Sequence, residues 1–63
     1  MMDAFVLVLH FAFNGEIVSV WPRGQKRLYP TELACRAAAA RERLRWRGRW
    51  PSPDRIACEK LEH

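Results

Sequence analysis

Two cysteines, Cys35 and Cys58, are the only thiols in this chain of 63 residues. Such residues can close a disulfide, ligate a metal, or act as a nucleophile beside an imidazole. Structural metal sites draw their ligands from closely spaced pairs. Here the two cysteines and His10 stand far apart in the sequence, so no metal is expected. His10 falls in the middle of an expected strand, opposite Ser19, where a histidine satisfied within a sheet is the simpler reading than a Cys-His nucleophile. There is no glycine-rich phosphate loop and no carboxylate pair set apart from other charges. The chain is also too short for a substrate cleft. The reading is a non-enzymatic protein without cofactor or small-molecule substrate.

Two readings of the cysteines stand side by side. One is a disulfide closing a loop of about 23 residues, which would stabilise the fold by about 3 kcal/mol. The other is a pair of buried thiols in a reducing compartment. Compartment follows from the same choice. The N-terminus carries Asp3 and is followed by no small-x-small cleavage site, so no signal peptide is read and the cytoplasm is expected. A paired Cys35 and Cys58 would instead indicate the periplasm or the cell exterior.

The segment from Arg41 to Trp50 carries a second kind of chemistry. Arg41, Arg43, Arg45, Arg47 and Arg49 alternate with other residues, and Trp46 and Trp50 lie among them. Guanidinium groups can hold phosphates while indoles stack on bases. On a helix, however, these arginines scatter onto two flanks instead of one stripe. A solvated helix whose arginine stems cover apolar surface is the favoured reading, and nucleic-acid binding through this segment is the alternative.

The elements that would position these residues begin with the apolar run Ala4–Phe13. At half the length of a membrane span, and rich in aromatic and β-branched residues, it reads as a strand. Asn14-Gly15 is a two-residue hairpin turn, and Glu16–Trp21 is the return strand. That turn sets Phe13 opposite Glu16, Phe11 opposite Val18 and Leu9 opposite Val20. Alternation then places Phe5, Leu7, Leu9, Phe11, Phe13, Val18 and Val20 on one face, assigned to the core. Val6, Val8, His10, Ala12, Ile17, Ser19 and Trp21 share the other.

Pro22–Arg27 reads as a basic loop, with Leu28 and Tyr29 as a short extended piece. Pro30 ends it, Thr31 is an N-cap, and a helix is expected from Glu32 to about Arg47, with Gly48 just beyond its end. Leu33, Ala37, Ala40 and Leu44 form its apolar stripe and are matched to the sheet. Cys35, Ala39 and Trp46 lie opposite and need a second neighbour; the reverse assignment stays open. Ser52-Pro53-Asp54 is a turn, and Arg55–Lys60 is a last strand. The fold class is α+β, in the order β-β-α-β. A three-stranded antiparallel sheet of order 2-1-3 carries one helix packed on one face. Residues 1–60 form a single small domain, and Leu61-Glu62-His63 look like an expression-tag remnant.

The apolar first strand, the helix opening Tyr-Pro-Thr-Glu-Leu-Ala-Cys-Arg-Ala-Ala-Ala-Ala, and the closing Ile-Ala-Cys-Glu-Lys resemble a loose group of short phage and prophage-type bacterial proteins. The resemblance covers nearly the whole chain. It implies this fold and a Cys35–Cys58 pair, and no particular activity. Many such proteins carry an export-like N-terminus.

A chain this short buries little core by itself. One helix can cover only one face of the sheet, and Val6, Val8, His10, Ile17 and Trp21 lie on the other. These five are the candidate homodimer interface. The function expected from the sequence is a small non-catalytic interaction or structural module whose partner is a second copy of itself.

Overall fold

The computed structural model of the protein describes residues 4–61. Its elements are β1 (Ala4–Phe13), β2 (Glu16–Val20), a single 3-10 turn (Pro22–Gly24), β3 (Leu28–Tyr29), α1 (Glu32–Arg45) and β4 (Arg55–Leu61). Leu61 ends β4 and pairs with Ala4; the remainder of the suggested tag lies outside the described residues.

The hairpin forms as its turn chemistry dictates. Asn14 and Gly15 both adopt positive φ, 51° and 80°, and the register runs from Phe13 opposite Glu16 to Leu9 opposite Val20. β4 lies antiparallel to β1 along its other edge, from Ala4 opposite Leu61 to His10 opposite Arg55. The sheet thus has the expected order, with the most apolar strand in the centre and the last strand beside it. Leu28 and Tyr29 pair with Val6 and Phe5. Because β4 occupies the other edge at these same residues, β3 continues the lane that β2 began.

Asp54 extends the β1–β4 ladder by one step. Its main-chain N–H donates to the His10 carbonyl at 2.8 Å, and its carboxylate accepts from the Ala12 N–H at 2.6 Å. The turn before β4 therefore caps an amide of β1 that has no strand partner on that side. Within the same turn the Trp50–Pro51 peptide bond is cis.

α1 is capped by Thr31, whose hydroxyl accepts from the Ala34 N–H at 3.1 Å. Glu32 and Arg36 form an ion pair one turn apart at 2.8 Å. The helix ends at Arg45, two residues short of expectation. Trp46 serves as C-cap, and Gly48 takes positive φ in the turn that follows.

The face that α1 turns to the sheet reverses the leading expectation. Cys35, Ala38 and Ala39 are buried against Leu7, with Phe5, Tyr29, Ile56 and Cys58 around them. Leu33 and Leu44 point outward. The physical reason is size. The sheet already presents large side chains on this face, and small residues let the helix axis come close enough to fill the space between them. Cys35 then sits at 0 % exposure and is joined to Cys58 by a disulfide, with Cα atoms 6.0 Å apart. At the end of the helix, Trp46 meets Phe11 edge-on with centroids 5.5 Å apart, and Phe11 stacks on Phe13.

Candidate interaction surfaces

The disulfide fixes both the rotation and the lateral position of α1. Cys58 is opposite Leu7 in the β1–β4 register, so the staple anchors the helix over the β1–β4 half of the sheet. The inner face of β2 is left open: Val18 and Val20 remain 42 % and 40 % exposed.

The outward stripe of α1 is an exposed apolar surface. Leu33 is 79 % exposed and Leu44 68 %, with Ala37 and Ala40 exposed between them. All four lie within about 60° of one another around the axis at 100° per residue. The sequence shows this stripe plainly; what it conceals is that a weaker-looking Cys/Ala face holds the core.

The outer face of the sheet is less open than its composition suggests. Val6 and Val8 are 2 % and 5 % exposed. Val6 lies in register with Leu28 on one side and Glu59 on the other, and Val8 beside Ala57. These two valines are already buried within the chain and offer no area to a partner. Ile17, at 73 %, and Trp21, at 37 %, do, and the Lys26 ammonium sits 5.6 Å from the Trp21 ring centroid.

His10 links the strands at the middle of this face. Its Nδ1 lies 2.7 Å from the Ser19 Oγ, and its Nε2 lies 3.4 Å from a Glu59 carboxylate oxygen. Hydroxyl, imidazole and carboxylate in a row are the components of an acyl-transfer triad. Such a site also needs donors aimed at a developing oxyanion. On the flat of a sheet the main-chain amides point sideways along the ladders. The recess beside the row is shallow, about 320 Å³, and is lined in part by Ile17, Phe11 and Ala12. The arrangement acts as a polar tie across three strands. Among the described residues, no group of three or more His, Cys, Asp or Glu side chains is placed to hold a metal ion.

The Arg/Trp segment is dispersed by the fold. Arg41 and Arg45 lean toward the loop that follows β2, whereas Arg43 lies on the other flank near Arg36 and Arg55. Trp46 is packed against Phe11 and is not free to stack on a base. Arg47, Arg49 and Trp50 lie past the helix end, Trp50 at 90 % exposure. The structure therefore makes no single surface of Arg41, Arg43, Arg45, Trp46, Arg47, Arg49 and Trp50. Among the described residues, no helix is long and apolar enough to cross a membrane. No protein-family model, curated protein or solved structure matches this chain.

Proposed function

We propose that the protein is a small non-catalytic interaction module that works as a homodimer, joined through the outward stripe of α1. The observation that carries this reading is the exposure of Leu33 and Leu44 at the two ends of a row of small residues. The row is symmetric. Leu33 and Leu44 lie equally far from the midpoint between Ala37 and Ala40, so a second helix laid antiparallel about a two-fold axis sets Leu33 against the partner's Leu44. Ala37 then meets the partner's Ala40, and the small pair lets the helices approach closely. A two-fold interface must be self-complementary in this way. The flank holding Glu32 falls beside the flank holding the partner's Arg43, placing a carboxylate near a guanidinium.

Four leucines at about 1.5–3 kcal/mol each for full burial stand against an association cost of at least about 4 kcal/mol. The surplus is at most about 8 kcal/mol, which sets the micromolar range as the tightest dimer this contact supports. The paired cysteines support an oxidising compartment, periplasmic or extracellular, for this module.

Size-exclusion chromatography of Leu33→Glu, Leu44→Glu and Ile17→Lys tests the choice of surface. Monomeric leucine variants beside a dimeric Ile17→Lys support the helix stripe. The opposite pattern would assign the interface to the sheet face.

A further inference from the structure

A groove of about 570 Å³ runs between α1 and the segment that leads from β2 to β3. Its floor includes Leu7 and Tyr29. One wall carries Arg23 and Arg27, the other Arg41 and Arg45. Two arginine pairs far apart in the sequence are thus brought to one cleft.

Little neutralises them. Among the described residues, the Arg23 and Arg41 side chains make no ion pair or hydrogen bond. Arg27 reaches only the neutral Gln25 side chain, at 3.4 Å. Arg45 approaches Glu42 at 3.7 Å, and its Nη1 is buried without a hydrogen-bond acceptor. Four guanidinium groups therefore face one carboxylate.

The loop holds its arginine deliberately. Arg23 has φ 56° and ψ 24°, a left-handed conformation that is uncommon outside glycine and costs about 1 kcal/mol or more. Pro22 and Gly24 flank it, and hydrogen bonds from Gly24 to Trp21 and from Gln25 to Pro22, each 3.0 Å, close the turn. Such strain persists where the surrounding structure enforces it, often at a binding site.

We infer that this groove binds single-stranded nucleic acid, with the phosphate backbone held between the two arginine walls and a base against the Tyr29 floor. Guanidinium groups match phosphate oxygens in planar, bidentate geometry, and an aromatic floor accepts any base by stacking.

Fluorescence anisotropy of a labelled thymidine oligonucleotide of about ten residues tests the inference. Four phosphate contacts predict a log–log salt slope of about −2.8, which is about a fifty-fold loss of affinity between 50 and 200 mM salt. Arg41→Gln should weaken binding about tenfold and flatten the slope by about 0.7, while Arg43→Gln, on the opposite flank, leaves both nearly unchanged. Arg23→Gly should raise the melting temperature and weaken binding together. No binding at low salt would overturn the inference. So would equal losses from Arg41→Gln and Arg43→Gln, tighter binding of poly-glutamate than of the oligonucleotide, or full affinity in Arg23→Gly.

Discussion

Reduction of the Cys35–Cys58 bond should bring this fold close to collapse. The bond spans 23 residues, and the chain-entropy relation assigns a loop of that length about 3.4 kcal/mol at 25 °C. A domain of 63 residues has a total stability of roughly 3–9 kcal/mol by the usual per-residue range. The staple thus accounts for between a third and all of it. Its position adds to its weight, because Cys35 is fully buried and ties α1 to β4 within the cluster of Leu7, Ala38 and Ala39. With an unfolding entropy near 2.1 cal/mol/K per residue, the loss corresponds to a fall in melting temperature of about 25 °C. Circular dichroism at 222 nm, with and without a phosphine reductant, reads this directly. The double variant Cys35→Ala/Cys58→Ala repeats the test without exchangeable thiols. Mass spectrometry of the unreduced protein should show a mass two hydrogen atoms below that of the reduced chain. A reduced form melting within about 5 °C of the oxidised one would refute the reasoning, since the loop would then contribute little to the unfolded ensemble.

Three further outcomes are expected. Thr31→Ala removes the cap bond to Ala34 and should cost about 1 kcal/mol, measured by urea denaturation. Glu42 is 12 % exposed, with Arg45 at 3.7 Å as its only side-chain partner among the described residues, so Glu42→Gln should leave stability unchanged or raise it in the same assay; a loss above about 2 kcal/mol would show that the ion pair matters more than its burial. Ser19 should resist labelling by a fluorophosphonate probe, because the main-chain amides around it on the sheet point along the ladders; stoichiometric labelling would make the Ser19–His10–Glu59 row a nucleophilic centre.

Much of this architecture was legible in the chain because local chemistry and long-range pattern agree. Asn14-Gly15 permits one tight turn, that turn fixes one register, and the alternation of β1 then sorts its side chains without ambiguity. Thr31, Glu32 and Gly48 marked the helix limits for equally local reasons, although the helix ends at Arg45 with Trp46 as its C-cap. The rotation of α1 was not legible. Hydropathy ranks the Leu33/Leu44 stripe above the Cys35/Ala38/Ala39 face, yet the space left above Leu7 and Ile56 accepts only small residues. The burial of Val6 and Val8 was hidden for a related reason: alternation tells which face a side chain takes, not how well its neighbours on flanking strands cover it. The arginine groove was hidden because helical spacing separates Arg41 from Arg43, while only the folded turn at Pro22–Gly24 brings Arg23 and Arg27 across to Arg41 and Arg45.

The exposed stripe of α1 makes self-association the central claim, and sedimentation equilibrium of the unmodified, oxidised protein tests it most directly. At concentrations from about ten to several hundred micromolar, where a dimer of this strength should be populated, the mass should rise from near the single-chain 7.4 kDa toward twice that value. A mass that stays at one chain throughout the range would contradict the homodimer.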